Sequence, residues 1–185
     1  MKIYEFDSYE DYVEAQTLAN IRKIDFIWAK DEIILEIAKD KGTAKNILCH
    51  GTRNGAEQKY FKTYFCDAYV VGTEISKTAT QFPMTVQHDF TFPKDEWIGK
   101  FDIVYSNSFD HSIDPEKTIQ TWRDQLSDTG KLYIEYCEIA SWACQSDPLE
   151  ADDEEVKEMI EKYLKVEKII HHGGDSTIFV CVKND

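Results

Sequence analysis

Residues 45–57 read KNILCHGTRNGAE: a short apolar run, Ile47-Leu48-Cys49, then a glycine turn, Gly51-Thr52-Arg53-Asn54-Gly55, then the start of a helix-like pattern. Strand, glycine turn and helix together make an anion or nucleotide site, because free backbone N–H groups at a helix N-terminus face the loop. Asn54 is placed to cap the helix, with Glu57 three residues later as a capping box requires. Two spaced glycines before a helix also occur in ordinary βα turns. The spacing of the downstream segments decides between the two.

Downstream, strands and helices alternate. Residues 56–64 form a helical pattern. Residues 68–73, AYVVGT, form a strand closed by Glu74, with a short helical turn near Ser76. Residues 84–88, MTVQH, form a strand closed by Asp89. Residues 101–105, FDIVY, form a strand followed by the polar turn Ser106-Asn107-Ser108. Pro115 opens a helix through residue 126, Gly130 ends that region, and residues 131–137, KLYIEYC, form a further strand. An acidic helix covers about 151–164, its Asp152-Asp153-Glu154-Glu155 start suiting the positive end of the helix dipole. Residues 166–171, the turn Gly173-Gly174-Asp175, and residues 177–182 read as a β-hairpin. Strands alternating with helices predict a parallel sheet covered on both faces, with ligands bound outside the carboxyl ends of its strands. Those ends carry Gly51, Glu74, Asp89 and Asn107.

Residues 1–44 read as a helical cap, with one amphipathic piece around 8–18 and another around 24–39. In the second, Ile24, Ile27, Trp28, Ile34, Leu35 and Ala38 recur at helical spacing and Gly42 is the stop. The first piece serves as either a lid or a covering helix. Neither an internal repeat nor a linker marks a second domain, so residues 1–185 are expected to form one domain, with 45–185 as its core.

The totals exclude several classes. A chain of 185 residues with 42% hydrophobic and 13% aromatic content buries a core and is not disordered. With 21 Lys+Arg against 35 Asp+Glu, net charge −14, and no basic run, duplex nucleic acid is not expected as a partner. No apolar run approaches a membrane span, and the acidic start lacks the apolar core of a signal peptide. The five cysteines are odd in number and never spaced C-x-x-C, which points to a reducing cytoplasm and away from a metal site. His171 and His172 show no metal-ligand spacing either.

The pattern resembles the class I S-adenosylmethionine-dependent methyltransferases over nearly the whole chain. The resemblance implies a Rossmann-like, seven-stranded, mostly parallel α/β sheet with helices on both faces and a C-terminal antiparallel β-hairpin. In that family the glycine turn after the first strand holds the methionine part of the cofactor, and His50, Gly51, Thr52, Arg53 and Gly55 stand there. An acidic residue ending the second strand binds the ribose hydroxyls, matched by Glu74 with Ile75. An acidic residue after the third contacts the adenine amine, matched by Asp89 with Phe90. FDIVYSNSFDHSIDPEKT resembles the segment beside the methyl group, bringing in Asn107 and Ser108. Two positions depart from the family pattern: Cys49 replaces an acidic residue, and Arg53 replaces the middle glycine. Arg53 either salt-bridges the cofactor carboxylate, pairs with Glu57 or faces solvent.

Methyl transfer from a sulfonium is an in-line displacement that depends on proximity and alignment. Its positive charge disperses in the transition state, so a polar, uncharged wall such as Ser106-Asn107-Ser108-Phe109 suits it better than a carboxylate. His111 is the candidate general base, with Asp110 and Asp114 near enough in sequence to orient it; the bland alternative is a hydrogen-bonded loop histidine. His50 and His88 either line the pocket or are core histidines. Trp97 is placed to flank an adenine and Trp142 to meet a substrate. The expected activity is methylation of a small molecule or exposed acceptor group. The alternatives are an adenosyl-ligand-binding scaffold without catalysis and, lacking the G-x-G-x-x-G fingerprint, an NAD-dependent oxidoreductase.

Overall fold

The computed structural model describes residues 1–137, 142–172 and 176–184. Among these, the strands are β1 (Lys2–Ile3), β2 (Asn46–His50), β3 (Tyr69–Glu74), β4 (Thr85–Gln87), β5 (Phe101–Ser106), β6 (Leu126–Tyr136), β7 (Leu149–Glu150), β8 (Lys165–His172) and β9 (Ser176–Val182). The α-helices are α1 (Tyr9–Arg22), α2 (Asp31–Lys41), α3 (Ala56–Tyr64), α4 (Pro115–Gln125) and α5 (Asp153–Glu161). A seven-stranded sheet runs in the order β4-β3-β2-β5-β6-β9-β8. β4, β3, β2, β5 and β6 are parallel, and β9 is antiparallel to both β6 and β8. The sheet is therefore the expected one, with its terminal hairpin; the turn assigned to Gly173-Gly174-Asp175 lies outside the described residues.

Period-two alternation builds two cores. Leu48, Val71, Val104, Leu132 and Phe179 face one side, where Ile119 and Trp122 of α4 and Val156 and Ile160 of α5 cover them. Their neighbours Ile47, Val70, Ile103, Tyr133 and Val180 face the other, under Ile33, Ile34 and Ile37 of α2 and Phe61 of α3. Strands buried on both faces read as continuous apolar runs, which is why NILCH and FDIVY stand out in the sequence.

Three expectations are corrected. The second helix occupies only Asp31–Lys41, with Lys30 extended at its start, Asp31 and Glu32 in its first turn and Lys39 and Lys41 in its last. Ile24, Ile27 and Trp28 lie ahead of it in a connecting segment that leaves Ile27 and Trp28 about half exposed. Their helical spacing reflects a loop laid over the glycine turn. Asn54 is not the cap of α3: Gly55 holds that position in a left-handed conformation with no side-chain cap. The Asn54 amide instead donates to the carbonyls of Ile24 (2.9 Å) and Phe26 (3.2 Å), tying the segment down. Gly130 does not end the helical region, because β6 begins at Leu126 directly after α4. Unforeseen was the pairing of β1 with β7, two residues each, which joins the N-terminus to the segment before α5.

Candidate functional site

Strand order reverses between β2 and β5, and the diverging connections leave a crevice at their carboxyl ends. A cavity of about 420 Å³ occupies it, beside a narrow one of about 50 Å³. Along this edge the residues follow the strand order. Asp89 and Phe90 follow β4, and Glu74 and Ile75 end β3. Gly51 to Arg53 follow β2, Asn107 and Ser108 follow β5, and Glu135 and Cys137 lie at the end of β6. The narrow cavity meets Glu74, Ile75, Asp89 and Phe90; the wide one meets Thr52, Asn107, Glu135 and Cys137; Gly51, Arg53, Ser108 and His111 border both.

Local bonds fix this edge. Ser106 Oγ donates to the His50 carbonyl (3.1 Å) and Ser108 Oγ to the Gly51 carbonyl (3.1 Å), stitching the ends of β2 and β5. Gly51 has φ +72°, and a Cβ there would lie 2.6 Å from that of Ser108. Only glycine allows so close an approach. Glu74 accepts from the Ser76 amide (2.9 Å), and Asp89 accepts from the Thr91 amide (2.8 Å) and from the Tyr9 hydroxyl (2.9 Å). Arg53 also has positive φ, +39°, and its guanidinium donates to the Phe26 carbonyl (3.3 Å) rather than pairing with Glu57.

His111 sits where α1 meets the edge. Gln16 Nε2 donates to the carbonyls of Gln145 and Ser146 (both 3.1 Å), which fixes its amide and turns Oε1 toward His111 Nδ1 at 2.8 Å. Nδ1 must then carry the hydrogen, so in the neutral ring Nε2 holds the lone pair. Nε2 lies 3.6 Å from Asp147 and 3.9 Å from Asp110. Burial, with Asp147 adding to it, raises the Asp110 carboxyl above its usual range. Asp114 plays no part: it caps α4, accepting from the Lys117 amide at 3.2 Å. The sequence pattern suggested no metal site, yet Asp110, His111 and Asp147 each bring a ligand-capable atom within 4.8 Å of the others.

Several expected residues are elsewhere. His50 lines neither cavity: its ring stacks on Trp122 at 5.0 Å and bonds Thr73 Oγ1 (3.0 Å) and Gln125 Oε1 (2.8 Å). Burial drives its pKa down to about 3, so it is a neutral core histidine. Gly55 shapes the start of α3 without bordering either cavity. His88 bonds the Phe92 carbonyl (2.9 Å), Trp97 packs against His88 and Phe101 away from both cavities, and Trp142 is exposed. Sequence reasoning missed the opposite wall: Tyr12, Gln16 and Lys23 of the N-terminal segment, Phe26 and Trp28 of the connecting segment, and Asp147. Tyr12, Gln16, Ala19 and Lys23 recur at helical spacing, and that stripe of mixed polarity was the available signal.

No protein-family model and no curated protein matches the sequence. Solved structures do. The Burkholderia thailandensis 1,6-didemethyltoxoflavin-N1-methyltransferase, bound to 1,6-didemethyltoxoflavin and S-adenosylhomocysteine, matches with TM-score 0.77 at 13% identity over 98% of this chain and 92% of its own. The fold is that of the S-adenosylmethionine-dependent methyltransferases. Another example of this methyltransferase fold is the N-methyltransferase NodS of Bradyrhizobium japonicum WM9 with S-adenosylhomocysteine (TM-score 0.73, 13% identity, 92% of this chain and 100% of that one). A TehB-like methyltransferase of Corynebacterium glutamicum matches at TM-score 0.63 and 16% identity, over 95% of this chain and 98% of its own. In the methyltransferase fold, the crevice between β2 and β5 is where the strand-end residues of this chain converge.

Proposed function

We propose that the protein is an S-adenosylmethionine-dependent methyltransferase acting on a small molecule. The observation that carries this reading is the order of Asp89, Glu74, Gly51 and Ser108 along one sheet edge, all bordering two cavities that share Gly51, Arg53, Ser108 and His111 as walls. That order suits an extended adenosyl ligand. Asp89 and Phe90 take the adenine, Glu74 the ribose hydroxyls, and the Gly51–Arg53 turn the amino-acid end. Arg22, Lys23 and Arg53 border the wide cavity, where their charges suit a carboxylate.

When bound, S-adenosylmethionine supplies an electrophilic methyl group on a sulfonium. The chain's own contribution is alignment and proton handling. Asn107 and Ser108 give a polar, uncharged wall. His111 Nε2 takes the acceptor's proton, and Asp110 and Asp147 stabilise the imidazolium that results. Five free cysteines suit a reducing cytoplasm, and no described helix is long and apolar enough to cross a membrane.

Calorimetric titration with S-adenosylmethionine, S-adenosylhomocysteine and NAD tests the reading. Binding of both adenosyl ligands is expected; a folded protein that binds neither refutes it, and binding of NAD alone would return the oxidoreductase alternative. Cys49 and Arg53 favour a second reading, an adenosyl-ligand-binding protein without catalysis. Methyl incorporation into small-molecule extracts separates the two.

A further inference from the structure

We propose that Glu57 and Glu135 form a binding site for a primary ammonium group in the wall of the larger cavity. The methyltransferase reading is needed only to name the two sources of such a group, the cofactor's amino-acid end or an amine acceptor.

Both carboxylates are deeply buried, Glu57 at 5% and Glu135 at 4% exposure, and both border the cavity. They come from different elements: Glu57 from the first turn of α3, Glu135 from the end of β6. Glu135 is held by the Tyr105 hydroxyl, which donates to Oε2 at 2.7 Å. Glu57 is barely held. Its carboxylate takes a bond from its own main-chain amide and a long contact of 3.4 Å from Asn107 Nδ2 at Oε1, and its Oε2 is sealed from solvent with no hydrogen-bond partner. The nearby Arg53 guanidinium donates to the Phe26 carbonyl and acts on Glu57 through its charge without a hydrogen bond to it.

An acceptor oxygen sequestered beside a second carboxylate is costly unless a donor arrives. Burial raises the Glu57 carboxyl to about 7, with the charge of Glu135 adding to the rise. The missing partner must be small, positively charged and rich in N–H donors. An ammonium brings three donors and one charge, and supplies the donor that Glu57 Oε2 lacks. A divalent cation calls for six or more oxygen ligands, which the described residues of this wall do not gather.

The test uses the full chain and the isosteric variant Glu57→Gln, which keeps the shape and removes the charge, with near-ultraviolet circular dichroism run on both proteins to establish that the variant is folded. Three titrations are run on both proteins: S-adenosylhomocysteine, its analogue lacking the α-amino group, and phenethylamine added with and without saturating S-adenosylhomocysteine. The expected result is at least a tenfold loss of S-adenosylhomocysteine affinity in the variant with no change for the des-amino analogue, which assigns the site to the cofactor's ammonium. Unchanged nucleoside binding with phenethylamine binding lost in the variant assigns it to an amine acceptor. A second measurement needs no variant. Ammonium binding ionises Glu57, so titrations at pH 7 in buffers of different ionisation enthalpy should show release of about half a proton. Identical affinities for all three probes in both proteins, with no proton release, overturn the site. A wild-type protein that binds no adenosyl ligand refutes the methyltransferase reading instead, and phenethylamine on the ligand-free protein then decides the ammonium site.

Discussion

Oε1 of Gln16, on α1, lies 2.8 Å from Nδ1 of His111 and sets the tautomer of that ring from 95 positions away. Replacing Gln16 with Leu removes the acceptor while keeping an apolar side chain of similar reach. The ring then loses its fixed tautomer, and turnover should fall roughly 10–100-fold, by analogy with the loss of the partner that orients a metal-bound histidine. His111→Ala should cost more, roughly 10²–10⁴-fold. Affinity for S-adenosylhomocysteine should stay within twofold in both, and a fully active His111→Ala would remove it as the base.

Gly51→Ala tests the closeness of the glycine turn to β5. The left-handed backbone and the clash with Ser108 together should cost roughly 2–5 kcal/mol, read by denaturant unfolding. Pairing it with Ser108→Gly, which removes the clashing atoms, should recover the packing part of the loss but not the backbone part. No recovery would show that the two ends are not in contact.

Glu74→Ala should weaken both adenosyl ligands by roughly 1.5–3 kcal/mol, the worth of hydrogen bonds to a charged acceptor. The Ser76 amide that Glu74 now satisfies would also lose its partner, so unfolding should be measured alongside. Unchanged calorimetric affinity would remove Glu74 from the ribose site.

Glu57 gives the ligand-free protein an unusual pH response. Its folded-state pKa, about 7, lies above its ordinary value of 4.5. Between those values the folded state holds a proton that the unfolded state has released, so stability declines as pH rises through this window and levels off above it. The span corresponds to roughly 3 kcal/mol as an upper figure. Glu57→Gln lacks the penalty and should therefore be more stable than the natural protein at pH 8, with the difference vanishing near pH 4. Equal stability at both pH values would contradict the buried, ionisable carboxylate.

His50 acts in the opposite direction. Its folded pKa of about 3 is below the ordinary 6.5, so the unfolded state takes up protons first and stability is lost as pH falls from about 6.5 toward 3. Its ring resonances should stay those of neutral imidazole down to about pH 4 by NMR. A titration near pH 6.5 would place the ring in solvent.

The sequence by itself determined the sheet and one edge of the site. Apolar runs of strand length, each ending in Gly51, Glu74, Asp89 or the Asn107 turn, are local patterns, because a strand repeats every two residues and its last residue marks the edge. It also singled out His111, which the structure places at the border of both cavities, though not the Gln16 contact that leaves the lone pair on Nε2. Tertiary structure alone decided the opposite wall. The Tyr9 hydroxyl meets Asp89 across 80 positions and the Gln16 amide meets the Gln145 carbonyl across 129, and contacts between residues so distant leave no periodic trace. It decided the reversals as well. Ile24, Ile27 and Trp28 have helical spacing yet belong to a segment tied over the glycine turn by Asn54. Glu57 has the spacing of a cap yet lies buried, because Gly55 starts the helix and turns that first-turn carboxylate inward toward Asn107.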